Sequence, residues 1–492
     1  MWSSLRFEIA PPRVRAAPAR ADVACFVGYA TVRAGDVPAG VRAQLREFGW
    51  EIGVSLPQGL PVVVESHADF TALFEPLIQE GSLSWESYLS GAIRDFFALG
   101  GLRAWVVAVA PAGPSPQAEA EANSAIDKLL PGFVASTPQP SPHERSQWKG
   151  IWQLLGIPEV SLVCLPDLPS LLGDAPTAPV IDVEAPVVLP QFVECAPPAE
   201  PVPPQYLRRI PGAPRTGVDG RERWSKAVRQ AIQWLGRFRP DVLLVAALPL
   251  AERGSPAEKN PLESMEREGL LASPDGGGIA SAWLQATWPW VAGDRTRNRP
   301  GGIAPADGIL AGMIARGALE QGCFRSLRGF PVEGIRALEP RPSPRILYGS
   351  PQEDSEIPER LTVLGPATRG FRLLSDTTLS RAQSWRNGGV GRLMGVVRRS
   401  LIHIGEPFCF EPSGPQTWKK IQQAVEEMLG DLLQEGALAG FQVRCDRSTM
   451  SQQDLDQGRM RVEVGLKVST PIERILVVLS VENGQLHLSG EG

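Results

Sequence analysis

The chain has 492 residues, 43% of them apolar and 21% charged, with a formal net charge of −5. That length holds roughly two to four domains of ordinary globular composition. With this acidic balance nothing suggests an electrostatic grip on nucleic acid, which normally needs a basic domain, and no run approaches the ~18 apolar residues of a membrane span.

In chain order, residues 1–20 read as an extended arm, because Pro11, Pro12 and Pro18 exclude helix. The opening "MWSSLRFEIAPPRVRAAPAR" lacks an apolar core long enough for a signal peptide. "DVACFVGYA" (22–30) has the pattern of a buried strand, and "LPVVVESHADFTALFE" (60–75) reads as strand then helix, with Ser66 as N-cap and Asp69 three residues on. In "SWESYLSGAIRDFFALGG" (84–101), Trp85, Tyr88, Leu89, Ala92, Ile93, Phe96 and Phe97 recur with helical spacing, and the glycine pair stops the helix. "LRAWVVAVA" follows as a strand. Strand–helix–strand order with short links predicts α/β layering.

Residues 111–145 are rich in Pro, Ser and Ala, with one predicted helix near 117–130. A strand falls at 158–168, and residues 172–216 read as a stiff Pro-rich surface excursion. "ERWSKAVRQAIQWLGRF" is predicted helical, "DVLLVAALP" a buried strand, and "PADGILAGMIARGALEQG" (305–322) a helix. Residues 336–368 look like a domain joint. "GGVGRLMGVVRRSLIHIG" (388–405) reads as a helix running into a strand, with Arg392, Arg398 and Arg399 as a basic stripe off its apolar face and His403 in the strand. "TWKKIQQAVEEMLGDLLQEGALAG" (417–440) buries Trp418, Ile421, Val425, Met428, Leu429, Leu432 and Leu433 on one side and shows Lys419 and Lys420 on the other. In "RMRVEVGLKV" the apolar residues alternate with period 2, and "ERILVVLSV" has the length of a last strand.

The chemical motifs fail one by one. Asp454, Asp456 and Gly458 superficially match a calcium loop, but Gly458 and Gly465 occupy positions that need ligands. "GGVGRLMG" lacks the preceding buried strand of a dinucleotide fingerprint. There are four histidines; His67 has no nucleophile elbow beside it, although the members of a Ser/His/Asp triad need not be adjacent in sequence. The six cysteines show no Cys-x-x-Cys spacing and read as reduced, mostly buried thiols. No cofactor or metal is expected.

The residues that remain resemble one family. "RGFRLLSDTTLS", "SWRNGGVGRLMGVVRRSLIHIGEPFCFEPSGPQTWKKIQQAVEEMLGDLLQEGALAG" and "FQVRCDRSTMSQQDLDQGRMRVEVGLKVSTPIERILVVLSV" are similar, in that succession, to the C-terminal part of contractile tail sheath proteins. Those proteins belong to phage tails, tailocins and extracellular contractile injection systems. "VACFVGYA", "PVVVESHADFTALFE" and "YLSGAIRDFFALGGLRAWVVAV" resemble the family's opening elements. The chain departs from it in the opening arm, in "GCFRSLRGFPVEG" at the end of the middle domain and in "LLSDTT".

The resemblance implies a multidomain α/β fold. A mixed-sheet C-terminal assembly domain joins a larger middle domain of subtilisin-like topology, with extended N- and C-terminal arms. The boundaries are 1–20 for the linking arm, 21–364 for the middle domain with Pro-rich insertions, 365–474 for the inner domain and 475–492 for the linking strand. It implies a non-enzymatic structural subunit that forms stacked hexameric rings by strand exchange around an inner tube, with baseplate and cap proteins as further partners. No nucleic acid or membrane insertion is implied. Assembly would be cytoplasmic, and the particle released in the extracellular systems. Phe7, Ile9 and Val14 of the arm and Ile475, Val477 and Leu479 of the last strand are the inter-subunit candidates. Arg392, Arg398, Arg399, Lys419 and Lys420 are the candidates for inner-tube contact. A minor cap- or baseplate-proximal paralogue, and a hydrolase built on the middle domain, are the alternatives.

Overall fold

The computed structural model describes residues 19–492 apart from 54, 81–82, 114–115, 117, 174–180, 184–207, 350–354, 410, 457–458, 470–477, 483–484 and 490–492, with backbone alone for 181–183, 208–209, 478–482 and 485–489. The chain divides into a large unit, residues 18–400, and a small one built from residues 401–492. The predicted boundary at 364/365 is displaced to 400/401, because the residues on either side of it form a hairpin of the large unit's sheet.

That sheet has nine strands: β1 (Ala24–Tyr29), β2 (Pro61–Val64), β3 (Ala104–Ala110), β4 (Leu162–Cys164), β5 (Leu243–Ala247), β6 (Leu284–Trp288), β7 (Pro331–Val332), β8 (Thr362–Pro366) and β9 (Phe371–Leu373). Their order is β7-β9-β8-β6-β5-β4-β1-β3-β2. The six central strands, β3 through β8, run parallel. The flanking β2, β9 and β7 pair antiparallel. Apart from Gln285 and Thr287 in β6 and Thr362 in β8, the central strands read as near-continuous apolar runs, as expected for strands covered on both faces; in β1 all but the last residue are buried. Cys25 and Cys164 sit in this core, and burial pushes the Cys25 thiol up to about 12.

Three helices carry most of the packing. Helix α1 (Tyr88–Ala98) starts where Ser87 Oγ accepts the Ser90 N–H, and the residues before it form a strand, so Trp85 precedes the helix. Helix α2 (Val218–Phe238) buries Trp224, Ala227, Val228, Ala231, Ile232 and Leu235, the stripe read from its spacing. Helix α3 (Asp307–Glu320) lies against α1, and a Cβ at Gly308 or Gly312 would overlap the carbonyls of Ala92 and Phe96. These two glycines, one turn apart, set how closely the helices approach. Helix α4 (Gly388–Gly405) continues through the stretch predicted as a strand; His403 is an exposed helical residue facing Glu406.

In the small unit, α5 (Pro415–Gln434) packs on β10 (Leu438–Arg444), which pairs antiparallel with β11 (Glu463–Val468). Trp418, Ile421, Val425, Met428, Leu429 and Leu432 are buried, whereas Leu433 is exposed. Trp418 of α5 forms a small core with Cys445 and Met450, which follow β10 in the segment that leads to β11. Cys409 is exposed, contrary to expectation, and Cys195 lies outside the described residues.

Candidate assembly surfaces

The basic stripe of α4 is not a surface. Arg392 is 5% exposed and grips Asp376 with two hydrogen bonds of 2.7 and 2.9 Å, while its other donors meet Gln285 Oε1 and the carbonyls of Cys323 and Arg325. Burial alone would raise the Asp376 carboxyl, but the facing guanidinium outweighs it and holds that carboxyl below its ordinary range. Arg399 is 4% exposed and donates to the Asp241 carbonyl at 2.7 Å and the Arg20 carbonyl at 2.8 Å. Arg398 bonds the Pro240 carbonyl and lies 5.7 Å from the Trp283 ring centroid. Arg392 and Arg399 are therefore withdrawn as tube contacts: their partners, distant in sequence, take them into the large unit. Of the five, Lys419 and Lys420 are exposed, on the outer side of α5.

The same cluster fixes the root of the N-terminal arm. Ala19 N–H donates to Ser400 Oγ at 3.0 Å, and the Arg20 side chain pairs with Asp22. Phe7, Ile9 and Val14 lie outside the described residues, as do Ile475 and Val477. Leu479 stands in β12 (Val478–Glu482), which pairs with β13 (Gln485–Ser489), Leu479 opposite Leu488. Two antiparallel strands thus stand where a single strand was expected, and each satisfies backbone groups of the other on one side.

The stretch "FQVRCDRSTMSQQDLDQGRMRVEVGLKV" becomes β10, a short helical loop and β11. Along β11, Glu463, Gly465 and Lys467 are exposed and Val464, Leu466 and Val468 half-buried. The loop carboxylates are committed locally: Asp446 accepts the Ser448 N–H at 2.7 Å and Asp454 the Ser451 hydroxyl at 2.6 Å. Among the described residues no cluster could hold a metal ion, and no helix is long and apolar enough to cross a membrane. The β10–β11 sheet has no third strand among the described residues, so neither outer edge is paired by another described strand.

His67 does find a serine. Its Nε2 lies 3.4 Å from Ser90 Oγ, which donates to Glu86 Oε1 at 3.2 Å. In a hydrolytic triad the imidazole stands between hydroxyl and acid; here the hydroxyl stands between, and Ser90 is fully buried. Glu86 serves instead in a charge network that the sequence reading missed. Arg299, 1% exposed, pairs with Asp95 at 2.8 Å and Glu86 at 3.4 Å; Arg295 meets Asp95 at 2.9 Å and Arg94 meets Glu86 at 2.7 Å. A lone acid beside Phe96 and Phe97 was its one signal in sequence.

No protein-family model and no curated protein matches the chain. Solved structures do. A chain of the anti-feeding prophage baseplate in contracted state superposes with a TM-score of 0.60 at 18% identity, covering 98% of this chain and 98% of that one. A chain of the anti-feeding prophage helical sheath in contracted state gives 0.57 at 18% identity, covering 98% and 99%. A chain of the contracted sheath complex of an extracellular contractile injection system, PVC, gives 0.54 at 15% identity, again covering 98% and 99%. Over nearly its whole length, then, this chain has the contractile tail sheath fold.

Proposed function

We propose that the protein is a structural sheath subunit that polymerises around an inner tube and contracts to drive it. A fold alone hosts many functions, so the reading rests on a local observation: among the described residues β10–β11 is a two-stranded sheet with no strand on either edge. Such a pair is marginal by itself and an invitation to added strands. The likeness over 98% of the chain to sheath and baseplate structures supplies the context. Strands from neighbouring copies complete the sheet through main-chain hydrogen bonds. The arm around Phe7, Ile9 and Val14, and the segment carrying Ile475, Val477 and Leu479, are the strands donated. The rings stack as a lattice that does not close on itself, and shortening is a shift between two packings of the subunits. Lys419 and Lys420 face the tube. The large unit is read as a subtilisin-like layering that performs no catalysis.

Electron microscopy of the full chain, alone and with its tube protein, tests this. Rings or striated cylinders are expected, and removal of residues 1–17 should abolish them while leaving a folded monomer. A full chain that stays monomeric with every tail component present would sink the reading.

A further inference from the structure

We infer that the large unit binds an organic cation, an alkylammonium head group, in a pocket at the carboxyl ends of β1 and β4. The inference is independent of the sheath reading.

The topology selects the place. Numbered by sequence, the six parallel strands lie in the order 2-1-3-4-5-6, with β1 and β4 as the adjacent first and third. The chain leaving β1 works toward β3 on one side, and the chain leaving β4 runs to β5 on the other. Open α/β sheets part their connections at such a point and leave a crevice at the strand ends. A cavity of about 270 Å³ lies there. That is at the small end of ligand sites, room for a short alkyl chain and its head group but not for a nucleotide.

The lining selects the ligand. Three aromatic rings, Tyr29, Trp85 and Tyr88, and two carboxylates, Asp167 and Glu80, face the cavity. The rest of the described wall is proline, glycine, serine and aliphatic, with no Lys, Arg or His among the described lining residues. Arg299 is close enough to act on Tyr88, but its charge is taken by Asp95 and Glu86. Asp167 is 5% exposed and held in place: its Oδ2 accepts the Tyr29 N–H at 2.7 Å, and Gly28 leaves the room, since a Cβ there would overlap that oxygen. Tyr88 is 7% exposed, and its hydroxyl has no hydrogen-bond partner.

A built polar site with an unpartnered hydroxyl, a carboxyl and three aromatic rings has a definite preference. Aromatic faces attract cations, and an ammonium donates charge-assisted hydrogen bonds to a carboxylate. An anion would meet a second negative charge. Burial pushes the Asp167 carboxyl up to about 7; an ammonium supplies the counter-charge that replaces its proton.

The head group can come from a free amine or from a lysine side chain, and the test separates them. The full-length chain is titrated calorimetrically with n-butylammonium and with Nα-acetyl-lysine methylamide. n-Butanol serves as the neutral isostere and butyrate as the anion. Saturable butylammonium binding is expected, about tenfold or more tighter than n-butanol, with no butyrate binding. Asp167→Asn should weaken it about tenfold, and Tyr88→Phe by a smaller factor. Binding of the lysine amide at comparable affinity assigns the site to a protein side chain; binding of the free amine alone assigns it to a small metabolite. Should Asp167→Asn misfold, by circular dichroism, Glu80→Gln at the exposed rim carries the same test. Equal affinity for n-butanol and n-butylammonium overturns the inference, as does binding indifferent to both carboxylate variants.

Discussion

Asp167 and Asp307 are both sealed in the large unit, where burial pushes their carboxyls up to about 7 and about 6. Asp307 gains one hydrogen bond, from the Gly308 N–H; its other oxygen has none. Unfolded carboxylates titrate near 3.9. Between about pH 4 and 7 the folded chain therefore holds protons that the unfolded chain has released. Unfolding free energy must fall as pH rises through that window, by roughly 4 kcal/mol for Asp167 alone. His67, whose pKa burial lowers, works the opposite way below about 6.5. The clean comparison is thus between wild type and Asp307→Asn. The urea midpoint of wild type should drop more from pH 5 to 7.5 than that of the variant; equal drops would contradict the assignment. Such residues were hidden in the sequence. Asp167 in "CLPDLPS" and Asp307 in "PADGIL" look like turn and cap residues, and only the fold shows that both are withdrawn from bulk water. Arg392 was misread for the same reason: its partner Asp376 was taken as part of an irregular motif, and Gln285 lies 107 positions away.

The helices were legible where an apolar stripe repeats at helical spacing, as in α2 and α5. They failed where composition imitates a strand: the "LIHIG" end of α4 was read as extended, yet Ile404 is buried while Ile402 and His403 are exposed, the alternation of a helix side. Glycines show what spacing conceals. Gly312 of α3 and Gly430 of α5 look alike in sequence, but a Cβ at the first would overlap the Phe96 carbonyl and one at the second would meet nothing within 4 Å. Gly312→Ala should destabilise by about 1–3 kcal/mol through overpacking. Gly430→Ala should stabilise by roughly 0.5–1 kcal/mol through helix propensity. Thermal denaturation of the two variants decides it, and shifts of the same sign would show that the α1–α3 approach is wrong.

At the scale of the molecule, the two units differ in how complete they are. Residues 18–400 hold a nine-stranded sheet with its own helices and core; among its described residues the small unit shows a long helix on two strands and a further antiparallel strand pair. Expressed alone, residues 18–400 should unfold in one cooperative step near the main urea transition of the full chain. A molten fragment would mean that the small unit is needed for folding. The place where the chain divides was not readable from the alternation of apolar runs and amphipathic stretches. The β8–β9 hairpin lies late in the chain and yet is captured by the large sheet through non-local pairing.

The hydrogen bonds from Ala19 to Ser400 and from Arg399 to Arg20 have a mechanical consequence. The two places where the backbone leaves the large unit are bolted together. A pull on either exit is borne first by this short bolt and by Asp241 behind it, rather than being dragged across the width of the sheet. Tension on one exit should therefore be felt at the root of the other before it loads the slab between β2 and β7.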